Sequence, residues 1–448
     1  MGALANRRKY MQTKLHIDTL AYGSAAIGRD EGGRAVFVEG GAPGDTALVE
    51  ITEERKSFAR GHVVDVLQPG EARVAPTCPL AGACGGCSWQ HVAYSAQLEA
   101  KRANVVSQLR RVAHVDALEV ESLVAACVPS KRQMGYRNKL EMACETDAQG
   151  RLQLGFRKPG SHELCPANAC PLAHRTIEKA PKALRGALRY LQGSGDLGIY
   201  RVGVRSSLRT KDTEIALWTR PGSFPRAAAA KTLASTLKAT SIVRVMAEEG
   251  SARAVKGVEV LAGKGHWTED LCGFTYRASA PSFFQVNTAQ AEKLVELALE
   301  GLQVTETDRI ADLYCGVGTF TLPLAERCGD VLAVESAGSS VRDLRANADS
   351  AQLWVDIIGG DSARELPAMG HLDALLVDPP RSGLADGVPA SIAKAAPQRL
   401  AYISCDPCTW ARDVERLSNE GYRLTKATPV DLFPQTFHCE VVSIFQRA

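Results

Sequence analysis

The sequence predicts three parts in series: a small β-barrel over residues 13–72, an α+β middle over 73–280, and an α/β domain with a doubly wound sheet over 281–448. Three observations predict this. Near the N-terminus, short β-branched segments alternate with glycine-rich turns, the pattern of a small barrel. After Pro281, strands and helices alternate regularly, as a parallel sheet with crossover helices requires. Between these regions, two helical patterns mix with strands such as Thr213–Trp218 and Ser241–Met246 without that regularity.

The chain of 448 residues is long enough for two or three cores, and 45% apolar with 23% charged residues is ordinary for a soluble globular protein. A net charge of +3 is too small to announce nucleic acid. The stretch from Glu99 to Gly160 is more basic than the chain as a whole, with eleven Lys/Arg against seven Asp/Glu. No apolar run approaches the roughly 18 residues of a membrane span, and Met1–Tyr10 lacks the apolar centre of a secretory signal. Asn6 stands where N-myristoylation wants Ser or Thr. A cytoplasmic protein without membrane contact is expected. Thirteen cysteines, an odd number, point to metal or thiol chemistry and away from a disulfide framework.

Residues 1–12 read as a loose basic tail. The barrel strands are expected at His16–Leu20, Ala35–Val38, Thr46–Ile51 and Gly61–Val66. Arg55, Lys56 and Arg60, on the loop before the last of these, are the expected phosphate contacts. Cys78, Cys84 and Cys87 follow in a C-x5-C-x2-C loop. Zinc and cubane iron-sulfur sites both take four ligands, so Cys165 or Cys170 is needed as well. The irregular, glycine-rich spacing favours an iron-sulfur cluster, with zinc as the alternative. A helix is expected through Tyr94, Leu98 and Val105. Lys131–Lys139 interleaves cations with Tyr136, a mix that single-strand binders use for phosphate and stacking, although an exposed strand gives the same pattern.

In the last domain, Asn287 or Thr288 should cap a helix running to about Leu302. Strands are expected at 309–313, 331–335, 355–359, 374–378, 400–404, after Gly421, and at 439–445. Three of them end in chemistry. One runs into Tyr314-Cys315-Gly316-Val317-Gly318, one into Asp378-Pro379-Pro380-Arg381, and one into Cys405. Strand ends of an open α/β sheet face the ligand crevice. A helix over Thr409–Glu420 would put Cys405 near a helix N-terminus, where the dipole favours a thiolate. The glycine turn lacks the third glycine of a dinucleotide fingerprint, while Glu335, seventeen residues past Gly318, suits a ribose diol. A cofactor with a ribose but no pyrophosphate satisfies both facts. S-adenosylmethionine is such a molecule, and NAD is the competitor that the missing glycine disfavours.

Phe284-Gln285-Val286-Asn287, the Asp312–Gly318 turn, Val377–Arg381, Ser404-Cys405-Asp406-Pro407 and His438-Cys439-Glu440, in this order, resemble the RNA (uracil-C5)-methyltransferase family. Upstream, the barrel looks like a TRAM domain and the cysteine loop like the four-iron cluster of the ribosomal RNA members. Tyr136–Lys139 and Gly160-Ser161-His162 match their central domain. The resemblance implies a Rossmann-like methyltransferase domain, S-adenosylmethionine as donor, and a [4Fe-4S] cluster on Cys78, Cys84, Cys87 and Cys170, with Cys165 an extra thiol.

The resemblance also assigns roles. It implies Cys405 as the nucleophile at C6 of uracil and Glu440 as the base that removes the C5 proton, in an apolar pocket beside Val441 and Val442. Gln285, Tyr314, Gly316, Gly318, Glu335 and Asp378 correspond to positions that hold the cofactor or the base. Gln285 and Asp378 can equally bind the uracil edge and polarise O4; Asn347 and Asp361 are further cofactor candidates. Asp406 departs from the family's asparagine and puts a second negative charge beside the thiolate. The expected substrate is a flipped-out uridine of 23S ribosomal RNA and the expected state a monomer. The alternatives are a transfer RNA substrate or a non-catalytic RNA-binding iron-sulfur protein.

Overall fold

Alternating apolar residues build the barrel. In the computed structural model, which describes residues 11–193, 195–248, 250 and 255–448, five strands close on themselves: β1 (Gln12–Leu20), β2 (Ala25–Arg29), β3 (Ala35–Glu39), β4 (Thr46–Glu54) and β5 (Phe58–Gln68), in the order β1-β2-β3-β5-β4. Leu15, Ile17, Val36, Val38, Val49 and Ile51 point into one core. Residues 1–10 of the expected tail lie outside the described residues, and Gln12 already belongs to β1. The sequence reading found four of the five strands. It passed over β2, whose Ala25, Ala26 and Gly28 lack the bulk that signals a strand. Arg60 is in β5 and not on the loop before it.

The loop that follows carries the cysteines and ends in α1 (Tyr94–Arg111) and α2 (Ala117–Leu123). These helices join two cores. Trp89, Val92 and Ala100 pack into the barrel core, whereas Val105, Val106, Leu109 and Val120 pack against the C-terminal sheet. Polar groups on α1 are satisfied from the far end of the chain. Lys101 forms a buried ion pair with Asp431, which also accepts from the Tyr94 hydroxyl at 2.6 Å, and Gln97 accepts from the Gln435 backbone N–H at 3.0 Å.

The middle contains β6 (Lys139–Thr146), β7 (Leu152–Arg157), β8 (Leu164–Pro166), α3 (Ala180–Gln192), β9 (Ile199–Ser206), β10 (Thr213–Thr219), α4 (Arg226–Leu237), β11 (Ser241–Ala247) and β12 (Val255–Gly263). The strands form a seven-stranded sheet ordered β12-β11-β10-β9-β6-β7-β8. The hairpin β13 (Trp267–Leu271) and β14 (Phe274–Ala278) then shares its core with the C-terminal domain through Trp267, Leu271 and Tyr276.

The C-terminal part runs α5 (Thr288–Leu302), β15 (Arg309–Leu313), α6 (Thr321–Ala325), β16 (Asp330–Glu335), α7 (Gly338–Ala351), β17 (Asp356–Gly359), α8 (Ser362–Glu365), β18 (Ala374–Val377), α9 (Val388–Ala395), β19 (Arg399–Ser404), α10 (Pro407–Asn419), β20 (Tyr422–Val430) and β21 (Glu440–Arg447). Its sheet is ordered β17-β16-β15-β18-β19-β21-β20. The pairs from β17 to β19 are parallel, and β21 is antiparallel to both of its neighbours. Period-two alternation divides fully apolar strands between two faces. Leu375, Val377, Leu400 and Tyr402 enter one core, and Ala374, Leu376, Ala401 and Ile403 the other. The expected caps of α5 are not made. Asn287 sits at the N-cap position, but its amide donates to the Leu432 carbonyl at 3.1 Å, fastening α5 to the segment before β21.

Replacing Asp431 by Ala would leave Lys101 buried without its counter-charge. The expected loss is about 3–5 kcal/mol in denaturant-induced unfolding. Removing both charges together, as Lys101→Met with Asp431→Leu, is expected to cost less than the single change.

Candidate active site

Because β15, β16, β18 and β19 run parallel, their C-terminal ends share one edge of the sheet, and β21, running the other way, brings its first residue to that same edge. Glu335, Tyr314, Asp378, Cys405 and Glu440 therefore stand in strand order along it. The register is explicit: Leu313 pairs with Val377, Val377 with Tyr402 and Ser404 with Val441, so Glu440 is one step beyond the last pair, opposite Cys405.

The turn after β15 is built for close approach. Tyr314, Gly316 and Gly318 all have positive φ, at 63°, 57° and 95°. Gly318 is needed for packing, since a Cβ there would lie 2.4 Å from Leu344 Cδ1. Gly316 faces room: no described heavy atom lies within 4 Å of where its Cβ would be. The Glu335 carboxylate holds this turn, accepting from the Gly316 N–H at 2.9 Å and the Ala337 N–H at 2.6 Å. Beneath it Asp312 is buried, accepting from the Thr321 hydroxyl at 2.6 Å through Oδ2, while Oδ1 has no hydrogen-bond partner among the described residues. Burial, with Asp378 and Glu335 adding, pushes its carboxyl up to about 8. A hydroxyl-rich, uncharged group such as a ribose matches this open, acid-lined turn.

The thiol end is also acid-rich. Burial pushes the Asp378 carboxyl up to about 7 and, with Asp378 and Cys439 adding and Arg381 opposing, holds Glu440 well above the ordinary carboxylate range. Cys405 is half-buried and therefore reachable. Its thiol is pushed up to about 12 by burial first, then by Glu440 and Asp378; Arg381 opposes and Asp406 adds least. This corrects the expectation that the α10 dipole yields a resting thiolate. Burial and the neighbouring acids outweigh the helix start, and the first free N–H groups of α10, those of Cys408 and Thr409, are turned to Asp406 Oδ1 at 2.9 and 3.0 Å. The extra charge at Asp406 is thus turned into a helix cap.

Other expected residues fall elsewhere. Gln285 is buried on the strap between β14 and α5, on the wall of the cysteine cavity, where Asn138 donates to its backbone carbonyl at 2.9 Å. Asn347 is not free for a cofactor, since its amide bonds both the N–H and the carbonyl of Arg277 and the Val317 carbonyl, at 2.7, 3.1 and 2.9 Å. Asp361 is exposed and caps α8 through the Ala363 N–H at 3.0 Å. Tyr136 is 3% exposed and donates to the Pro434 carbonyl at 3.2 Å, so it offers no stacking face. Arg55 and Arg60 are exposed but both turn to Glu53, at 2.8 and 3.5 Å. The sequence reading gave no role to Arg381, the cation that faces Cys405 and Glu440, or to Tyr22. The Tyr22 hydroxyl reaches Asp406 Oδ2 from the barrel at 3.1 Å. Nothing local in the sequence signals a contact across 384 positions.

Cys78, Cys84, Cys87 and Cys170 line one cavity of about 380 Å³ together with Phe156, Phe283 and Phe433. Cys165, in β8, is buried and does not line it. Burial pushes the Cys84 and Cys87 thiols up to about 11 and 12. Among the described residues no three or more His, Cys, Asp or Glu side chains are grouped closely enough to hold a metal ion. The donor set, four thiols round a common void, nevertheless matches what a four-iron cluster takes. Among the described residues no helix is long and apolar enough to cross a membrane.

The chain is similar to known RNA-modifying proteins. An RNA methyltransferase of Thermosynechococcus vestitus is 34% identical over 442 residues, 96% of this chain and 97% of that protein. The 23S rRNA (uracil(1939)-C(5))-methyltransferase RlmD of Salmonella typhi is 32% identical over 423 residues, covering 93% and 92%. Among solved structures, Pyrococcus abyssi tRNA (uracil-54, C5)-methyltransferase in complex with S-adenosyl-L-homocysteine superposes with a TM-score of 0.72 at 24% identity, covering 97% of this chain and 100% of that one, a likeness of fold. A TRAM domain model matches residues 14–64, the five-stranded barrel, and the model described as tRNA (Uracil-5-)-methyltransferase matches residues 227–366 and 368–448. With two of these relatives above 30% identity over nearly the whole length, the chain belongs to the RNA (uracil-5-)-methyltransferase family and carries a TRAM domain at its N-terminal end.

Proposed function

We propose that the chain methylates C5 of a uridine in 23S ribosomal RNA through a covalent bond between Cys405 and C6, with S-adenosylmethionine as donor. The observation that carries this reading is the single sheet edge on which Cys405 and Glu440 face each other beside Asp378 and the glycine turn. The relative RlmD, which acts on 23S rRNA, supports the choice of substrate.

The chemistry follows from the residues. Uracil C5 is a poor carbanion; the Cys405 thiol gives its proton to water and adds to C6 as the thiolate, which moves the electron pair onto C5 and O4 as an enolate. Asp378, near 7, is protonated in a large fraction of molecules at neutrality and can donate to O4. Gln285 lies in the strap beside the cysteine cavity and not on that sheet edge, so its assignment to the uracil edge rests on the family resemblance alone. The bound donor supplies an electrophilic methyl group, which C5 takes up. Glu440 then removes the C5 proton; the electron pair restores the C5–C6 double bond and expels the Cys405 thiolate. A carboxylate held above its ordinary range is the stronger base for that step. A neutral Glu440 relieves the thiol, and once the sulfur is bound to carbon it carries no charge to oppose Glu440 giving its own proton to water before it acts as the base. Glu335, Tyr314, Gly316 and Gly318 are assigned to the donor. A target uridine must leave its stack to reach Cys405.

A [4Fe-4S] cluster on Cys78, Cys84, Cys87 and Cys170 completes the reading. The shared cavity favours Cys170 over Cys165 as the fourth ligand. Anaerobically purified protein should be brown with about four irons per chain. Cys170→Ala should lose the iron and Cys165→Ala keep it; stoichiometric zinc in colourless protein would refute the cluster.

Ribosomal RNA fragments carrying 5-fluorouridine should form a covalent complex, stable in denaturing gels, that Cys405→Ala abolishes. Selective trapping of transfer RNA would move the substrate, and no trapping of either RNA would sink the mechanism. On unmodified RNA, Glu440→Gln should accumulate the C5-methylated adduct, because without the base the C5 proton is not removed and Cys405 is not eliminated.

A further inference from the structure

The barrel reaches the catalytic edge at one side chain. Tyr22, in the turn between β1 and β2, donates its hydroxyl to Asp406 Oδ2 at 3.1 Å, while Oδ1 of the same carboxylate caps α10. The ring of Tyr22 stands edge-on to Phe437, with centroids 5.5 Å apart at 89°. Phe437 in turn lies against His438 at 4.1 Å, two residues before Glu440. One residue of the barrel thus touches the loop that holds the nucleophile and the segment that leads into the base.

We propose that Tyr22 is a positioning residue for the methyl-transfer reaction: its hydroxyl holds the Asp406 carboxylate, draws its negative charge away from Cys405, and ties the Cys405 loop to the segment before Glu440. This rests on the assignment of Cys405 as nucleophile. Asp406 places a carboxylate next to a sulfur that must become an anion in this reaction. That carboxylate accepts four hydrogen bonds, three from α10 at Oδ1 and one from Tyr22 at Oδ2. Without the hydroxyl, Oδ2 loses its donor and the carboxylate's field on the thiol rises. Burial and Asp406 hold the Tyr22 hydroxyl far above neutrality, so it stays a donor throughout the working range. The other groups facing the thiol are Glu440 from β21, and Asp378 and Arg381 from the segment after β18. Near the tyrosine, Cys408 and Cys405 add to the field of Asp406. His438, pushed down to about 4 by burial and by Arg381, Lys101 and Arg137, is neutral and adds no charge. None of these groups changes when the hydroxyl is removed.

The test is the pH dependence of Cys405 alkylation by iodoacetamide in the full-length protein, followed on the Cys405 peptide by mass spectrometry. Tyr22→Phe should move the midpoint alkaline by about half a pH unit, or about threefold slower alkylation at fixed pH below it. Asp406→Asn alone should move it the other way, and Tyr22→Phe in the Asp406→Asn background should move it no further. A Tyr22→Phe protein with a lower melting temperature and an unmoved midpoint would mean a packing role only and overturn the proposal, as would equal shifts in both backgrounds. Should Tyr22→Phe fail to fold, an unmoved or alkaline-shifted midpoint in Asp406→Asn overturns it instead. Failure of the wild-type protein to trap 5-fluorouridine RNA at Cys405 would refute the nucleophile assignment, whereas the alkylation midpoints read the effect of Tyr22 on the thiol whether or not RNA is trapped.

Discussion

The buried ion pair between Lys101 and Asp431 fixes the relation of the three parts to one another. Lys101 projects from a helix whose first half packs in the barrel core and whose second half packs on the C-terminal sheet. Asp431 begins the segment that ends at Glu440. Both groups are fully buried, so neither charge has water as an alternative partner, and the arrangement satisfying both is tightly specified. Tyr94, the Phe433 carbonyl, and the paired Gln97 and Gln435 complete the polar set around it. Moving this segment would break several buried hydrogen bonds at once, so the strand that opens with Glu440 inherits its position from a helix more than 300 residues earlier.

The catalytic edge has the opposite character. Asp312, Asp378 and Glu440 are held where their neutral forms are favoured, and the thiol among them is favoured as a thiol. Arg381 is the cation that opposes this in both Cys405 and Glu440. In the proposed reaction such a site would keep the Cys405 thiol quiet until a pyrimidine ring arrives, because negative charge formed on sulfur can then pass onto O4 of the ring.

Much of this was legible in the chain. The C-terminal strands were readable because their residues are apolar on both faces and glycine, acid or cysteine marks most ends; the observed strands, β21 included, lie within a residue or two of the expected ones, and β20 starts directly after Gly421. Cys405, Asp378, Glu335 and the glycine turn could be brought to one edge by the rule that parallel strands share a C-terminal side. Glu440 was not readable that way, because its strand is antiparallel and its glutamate opens the strand; only the family resemblance singled it out. Long-range satisfaction of polar groups was invisible. Asn287 looks like a helix cap but answers the Leu432 carbonyl, Tyr136 looks like a stacking ring but is buried under Pro434, and Asn347 binds three backbone groups. The expected thiolate failed for a related reason: a sequence shows a helix start after Cys405 but not that the sulfur is largely buried with Glu440 and Asp378 beside it.

Trp89, Val92 and Ala100 complete the barrel core although they lie outside the barrel's own strands. The N-terminal module is therefore not a bead on a string that can be exchanged for another RNA-binding unit by cutting at its last strand. A graft made at residue 72 would strip the indole of its apolar surroundings and leave the replacement with an unfilled centre, so any transplant of substrate preference must carry the stretch through α1 with it.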